Sequence, residues 1–324
     1  MVYIITRWEH VKTTSGPRKM CKNFRHLSYD QLFGKASLPM GTYIFSDIDR
    51  LSAFELEISS IIYRELLEAG AVVYNDPASC LMRFELLQAL HRDQINDFRV
   101  YRPQYQEWPE SYPVFLRRCA FHMGLLTDLL HSREELEDAL RSVVASGVPM
   151  SNIMAVEYAA EKGSDGLFRK VAVHKIGDHY FQDTAVAERS WIVKYGEKGL
   201  VEEEVFRAEL EGINSVPFRE SVEEVFKVAN IDFGRVDIGM FQGRPQFYEI
   251  NTNPTVSFKT EHWSEFMIKS REAVVRNYTA AIESIDTVSG GAKIKFQSKV
   301  LKKLRKKYRK NMRWCHRMKS WPSY

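Results

Sequence analysis

The feature that most restricts how this chain can fold is the stretch from Phe233 to Pro254, where apolar and polar residues alternate on both sides of a turn. Phe233-Gly234-Arg235-Val236-Asp237-Ile238-Gly239-Met240-Phe241 precedes Gln242-Gly243-Arg244-Pro245, and Gln246-Phe247-Tyr248-Glu249-Ile250-Asn251-Thr252-Asn253-Pro254 follows. This is the pattern of two strands around a short turn. With Gln242-Gly243-Arg244 as the loop, Asp237 stands opposite Glu249, and the two-residue period of a strand brings Asn251 to the same side. Three oxygen-bearing side chains then share one face. Opposed carboxylates repel, because their Cβ atoms sit about 4.5–5.5 Å apart, unless positive charge lies between them. A hard divalent cation such as magnesium supplies that charge and takes oxygen ligands. The competing reading is the solvated outer face of an ordinary hairpin, where alternate polar residues need no explanation. A two-residue loop would slip the register and dissolve the trio.

Upstream, Thr42 to Phe45 reads as a strand, Ser52 to Ala69 as a helix with Ser52 and Glu55 as its capping box, and Ala71 to Tyr74 as a second strand. That is the βαβ rhythm of an α/β domain. A short helix near Met82 to Leu90, a strand at Pro113 to Arg117 and a helix from Ser132 and Glu135 to about Val144 follow. Two more strands, at Val156 to Ala159 and Arg169 to Lys175, flank the turn Gly163-Ser164-Asp165-Gly166, and Ser221 with Glu224 opens a further helix. A chain of 324 residues has room for two compact domains. The expected division is an N-terminal α/β domain at 1–95, a second domain at 96–288 and a tail at 289–324.

Several classes drop out. Phosphate-loop, dinucleotide-fingerprint, zincin and serine-hydrolase motifs do not occur in the chain. The four cysteines, Cys21, Cys80, Cys119 and Cys315, form no paired motif, and no run of about 18 apolar residues exists. A cytoplasmic location is expected. Asp47 and Asp49 in Ser46-Asp47-Ile48-Asp49 leave two readings open, the metal-holding pair of a glycosyltransferase or turn residues ahead of the capped helix.

The hairpin resembles the ATP-grasp superfamily, whose members end their catalytic domain with an Asp on one strand and Glu-x-Asn, usually followed by Pro, on the next. Here the pattern stands as Asp237, then Glu249-Ile250-Asn251-Thr252-Asn253-Pro254. The resemblance implies an α/β, ATP-grasp-like fold: an N-terminal βαβ domain, then two α+β subdomains enclosing a nucleotide site, plus a basic C-terminal helix. It implies ATP and Mg2+ as cofactors, with Asp237, Glu249 and Asn251 as metal ligands. It also implies a ligase that activates a small-molecule or peptide carboxylate as an acyl phosphate, releasing ADP, for attack by an amine or thiol. Arg117 falls where the family places a phosphate-binding lysine, although an arginine replaces a point charge with a fork. Glu157 and the backbone at Tyr158 fall where the family grips ribose and adenine; a plain core strand is the alternative. Arg169 falls on the strand whose basic residue approaches the transferred phosphate, with Lys170 on the opposite face.

Lys194 is a further candidate phosphate contact, as a lone charge amid Trp191-Ile192-Val193, or else a surface lysine with a buried stem. Arg235, two residues from Asp237, is placed to pair with the metal carboxylates or a substrate carboxylate, or to form a structural ion pair. The family's glycine-rich loop is represented only by His122-Met123-Gly124, and Thr255-Val256-Ser257-Phe258 stands where glycine often follows the motif. A third class stays open: a non-catalytic nucleotide-binding adaptor acting through its tail.

That tail is a separate basic device. Residues 293 to 324 hold 13 lysines or arginines and no acid, leaving 33 basic against 42 acidic side chains in the rest of the chain. Val300, Leu301, Leu304, Tyr308, Met312 and Cys315 recur at helical spacing among lysines and arginines, which predicts a basic amphipathic helix that orders on a partner. Anionic lipid, nucleic acid and the protein's own acidic body are the candidates. Trp314 and Trp321 favour a membrane interface, hence a location peripheral to the membrane, over nucleic acid.

Overall fold

The computed structural model describes residues 1–120, 124–194, 200, 202–256, 262, 264–287 and 291–318, with side chains of the last helix through Lys310. His122, Met123, Ser257, Phe258 and Trp321, and the side chains of Met312, Trp314 and Cys315, lie outside the described residues. The contacts divide the chain into two units. The first is Met1–Cys80, Asn253–Ser257 and Tyr278–Tyr324; the second is Leu81–Thr252 and Phe258–Asn277. The division thus falls after Cys80 where the sequence suggests residue 95, and the basic tail belongs to the first unit rather than standing apart.

In the first unit, β1 (Val2–Thr6), α1 (Ser15–Met20), β2 (Phe24–Ser28), α2 (Tyr29–Gly34), β3 (Ser37–Pro39), β4 (Thr42–Phe45), α3 (Ala53–Glu68) and β5 (Val72–Tyr74) follow in order. The parallel sheet runs β2-β1-β4-β5. Its central strands are apolar at nearly every position because both faces are covered, and Ile4, Ile5, Ile44 and Phe45 are fully buried. α3 buries Ile58, Ile62 and Leu66, one residue per turn, and starts with the expected capping box of Ser52 and Glu55.

The second unit contains α4 (Arg83–Arg92), β6 (Val100–Tyr101), β7 (Val114–Arg118), α5 (Arg133–Ala145), β8 (Ile153–Glu157), β9 (Phe168–Ile176), β10 (His179–Gln182), β11 (Val186–Glu188), α6 (Glu203–Gly212), α7 (Arg219–Ala229), β12 (Phe233–Phe241) and β13 (Arg244–Asn251). α8 (Glu265–Ser284) is shared between the units. The helix expected from Ser221 begins earlier, at Arg219, after Phe218 in the left-handed region.

Two antiparallel sheets result, β6-β8-β7 and β10-β9-β12-β13 with β11 beside β9. In the smaller sheet, Tyr101, Val114, Leu116, Ile153 and Ala155 pack with Leu136 and Leu140 of α5. In the larger sheet, alternation sends Val236, Ile238 and Phe247 into the core and leaves Arg235 and Asp237 on the other face.

The chain ends in the first unit with β14 (Lys293–Lys295), antiparallel to β3, and α9 (Lys299–Met318). Leu301 is fully buried, and Tyr308 meets Phe33 edge-on at 5.0 Å while its hydroxyl donates to Asp30. Arg305 Nη2 donates to the Leu32 carbonyl at 3.2 Å, and Arg309 Nη2 to that of Gly34 at 2.7 Å. Both carbonyls belong to the last turn of α2, where that of Leu32 also accepts from the Lys35 N–H, so two tail cations add donors at that helix end. The inward face therefore includes Arg305, whereas Val300, placed on the apolar face by its spacing, is exposed. Among the described residues no helix is long and apolar enough to cross a membrane.

Candidate functional site

β12 and β13 pair with Asp237 opposite Glu249 and Arg235 opposite Asn251, the register expected from the sequence, but the route to it differs. The turn has two central residues, Gln242 and Gly243, with φ of 51° and 74°, between paired Phe241 and Arg244. Such a turn matches the twist of the strands. Alone it would send Glu249 to the opposite face. A bulge beside Asp237 and Ile238 inserts Tyr248 as an extra residue and restores the pairing. The Tyr248 hydroxyl donates to the Ala159 carbonyl at 2.8 Å, and its ring occupies the place where a Cβ on Gly239 would stand. Gly239 is what makes room for the bulge.

The charge between the carboxylates comes from the protein itself. Arg83 Nη2 lies 2.7 Å and Arg117 Nη2 2.9 Å from Oε2 of Glu249. Lys170 Nζ donates to Asp237 at 2.9 Å, and Arg235 Nε lies 3.2 Å from its other oxygen. Arg235 also reaches Asp183 Oδ2 at 3.1 Å, the oxygen that His174 Nε2 contacts at 3.1 Å. β9 sets Ala172 opposite Asp237, so Lys170 and His174 share the carboxylate face and Arg169 does not. Arg169 binds Asp165 at the preceding turn. The strand thus presents Lys170 rather than Arg169 to Asp237, because strand parity is set by the neighbouring strand.

Burial lowers the Arg117 pKa, aided by Arg83 and only partly opposed by Glu249. For Arg235 burial pulls downward, but Asp237 and Asp183 outweigh it and the net shift is upward. For Asp183 burial pushes upward, and His174 and Arg235 more than reverse it. Arg235 and Asp183 thus hold their charges by pairing with each other, while Arg117 relies on Glu249.

No family model matches the sequence, and no curated protein matches it. Solved structures do. The D-alanine–D-alanine ligase from Coxiella burnetii matches at 10% identity over 98% of this chain and 99% of that one, with a TM-score of 0.50. The D-alanine–D-alanine ligase from Bacillus anthracis matches at 13% identity over 88% of this chain and 95% of that one, also at 0.50. The chain has the ATP-grasp fold.

Within that ATP-grasp fold the remaining expected residues fall into three groups. Arg117 leaves β7 on the same face as Phe115, and β8 brings Met154 and Val156 opposite those two residues. Phe115 and Tyr158 both pack on Trp191, with ring centroids 5.0 and 5.6 Å apart. One side of the small sheet is thus aromatic and aliphatic with a single arginine directed to Glu249. Each Glu157 oxygen already holds one donor: Oε2 accepts from the Arg99 N–H and Oε1 from the Tyr101 hydroxyl, each at 2.8 Å. The N–H of Tyr158 is committed to the Pro113 carbonyl at 2.9 Å. Lys194 is exposed, with its backbone N–H on Glu188, and joins none of the ion pairs on the carboxylate face.

Asp47 is buried in the first unit. Its Oδ2 accepts from the Arg7 N–H at 2.9 Å and meets His10 Nδ1 at 2.8 Å. Its Oδ1 accepts from Asn253 Nδ2 at 3.0 Å and lies 3.4 Å from Arg50 Nε. Three hydrogen-bonding contacts and one ion pair thus hold this buried carboxylate in place, so Asp47 serves as a structural anchor. Among the described residues no group of three or more His, Cys, Asp or Glu is arranged to hold a metal. The donor set of Asp237, Glu249 and Asn251, two carboxylates and an amide, is nonetheless the all-oxygen kind that suits magnesium. Sequence reasoning passed over Arg83, Lys170, Asp183 and His174 as members of this face. Lys170 alone had a usable signal, its even spacing to His174.

Proposed function

We propose that the protein is a magnesium- and ATP-dependent ligase that activates a carboxylate as an acyl phosphate for capture by an amine or thiol. The observation that carries this reading is the single face on which Asp237, Glu249 and Asn251 stand among Arg83, Arg117, Lys170 and Arg235. Magnesium held by the three oxygen donors would offset charge on the nucleotide phosphates. Arg83, Arg117 and Lys170 would exchange carboxylate oxygens for phosphate oxygens as the triphosphate enters, keeping buried positive charge paired throughout. Arg235, steadied by Asp183, would orient the substrate carboxylate. An oxygen of that carboxylate attacks the γ-phosphorus and ADP leaves with the bridging oxygen. The amine or thiol then attacks the acyl carbon, phosphate departs, and the nucleophile's proton is lost. Phe115, Tyr158 and Trp191 offer the apolar walls that a base requires.

Two measurements test it. Calorimetry of Asp237→Asn, Glu249→Gln and Lys170→Ala should show Mg-ATP affinity reduced tenfold or more, while Arg169→Ala binds normally; unchanged binding by the first three overturns the site. Product analysis against a panel of carboxylates and amines should give ADP and phosphate. AMP with pyrophosphate would replace the acyl phosphate by an acyl adenylate, and no turnover at all, with Asp237→Asn as control, would favour a binding adaptor.

A further inference from the structure

The docking of α9 explains the helix's inward face and leaves its outward faces unexplained. Leu301, Leu304, Arg305 and Tyr308 turn toward the first unit, whereas Lys299, Lys302, Lys303, Lys306, Lys307 and Lys310 are exposed, with Val300 among them. The nearby acids are engaged elsewhere. Asp30 accepts from the Tyr308 hydroxyl, and the Glu65 carboxylate accepts from the backbone N–H groups of Gln297 and Ser298. Lys307 sits over the ring of Phe54 at 5.3 Å. No acid occurs from residue 293 onward to offset this charge. A helix held by a few apolar and capping contacts needs no such density of like charge, and mutual repulsion works against it.

We propose that the docked α9 is an electrostatic contact surface for an anionic phospholipid bilayer. The chemistry of the outward residues selects that occupant. Among the described side chains, 299–310, they are lysines almost throughout, compact point charges that respond to the averaged field of a lipid surface. The arginines Arg305 and Arg309, whose planar forks suit discrete phosphates and base edges, are instead spent on carbonyls of α2. Because Leu301 is buried and Tyr308 is half-buried with its ring on Phe33, the contact is made by charge alone, without insertion of the apolar face. Binding is therefore reversible, proportional to the anionic lipid fraction and steeply weakened by salt.

Sedimentation of the full chain with vesicles decides it. Vesicles of phosphatidylglycerol and phosphatidylcholine in equal parts should carry the protein down at low salt, and pure phosphatidylcholine vesicles should leave it in solution. The quadruple variant Lys302→Glu, Lys303→Glu, Lys306→Glu, Lys310→Glu removes exposed cations without touching the docking face, so its circular dichroism and thermal midpoint should match the unaltered chain. Its partitioning should fall by about a hundredfold or more. Equal sedimentation of the two proteins, or equal binding to neutral vesicles, overturns the proposal. So does duplex DNA that strips the protein from anionic vesicles at equal phosphate concentration, since it would make nucleic acid the preferred partner.

Discussion

The hairpin face and α9 are both heavily charged, and they handle charge in opposite ways. On the hairpin face Arg83, Arg117, Lys170 and Arg235 each have a carboxylate oxygen within 3.2 Å, and Asp237 is almost wholly buried. On α9 the exposed lysines keep their water, and the acids beside them are used as hydrogen-bond acceptors for other groups. Removing a charge from water costs several kcal/mol unless a partner replaces the solvent, so burial makes pairing obligatory and exposure makes it optional. The difference teaches where each region can act. Paired buried charges can be exchanged for those of a ligand that enters the site, while unpaired exposed ones attract whatever anionic surface lies outside.

The sharpest break of the comparison is Glu249→Ala. It strands the guanidinium groups of Arg83 and Arg117, and should destabilise the second unit by about 3–5 kcal/mol, read by urea unfolding. Glu249→Gln, which keeps an acceptor, should cost clearly less.

A smaller effect comes from Glu209, an acid at the margin of the same network. Burial, with Asp183 adding to it, raises its pKa from 4.5 to about 7, against the pull of the Ala185 N–H and Arg271. Between those values the folded chain holds a proton that the unfolded chain has released. This contribution is therefore complete below the unfolded value and is lost as pH climbs through about 7. Stability should fall by about 2 kcal/mol between pH 4.5 and 7.5, and Glu209→Gln should flatten the profile. A variant with an unaltered slope would show that Glu209 is not the group responsible.

The smallest effect is expected on α9. Lys302→Glu or Lys306→Glu should change stability by no more than about 0.5 kcal/mol, because each side chain is exposed. A loss of several kcal/mol would mean that the outward face is structural after all, and the contrast between the two regions would collapse.

The local periodicities of the chain were enough to determine much of this protein. The two-residue alternation put Arg235 with Asp237 and Glu249 with Asn251 on a common side of each strand, Ser52 with Glu55 and Ser132 with Glu135 marked helix starts, and the spacing of Leu301, Leu304 and Tyr308 marked an amphipathic helix. All of these rest on neighbours a few residues apart, whose geometry the backbone dictates. The tertiary structure alone decided the rest. The turn at Gln242-Gly243 is one residue shorter than expected, and only the Tyr248 bulge, fastened to Ala159 and admitted by Gly239, brings Glu249 back to Asp237. Lys170 rather than Arg169 faces the carboxylates because β9 pairs with β12 in one register and no other. Arg83 and Arg117 reach Glu249 from α4 and β7, and Arg305 lies inward on the Leu32 carbonyl at the end of α2. Each of these is a pairing between segments far apart in the chain. Local spacing can say which residues share a face, but only packing says what that face meets.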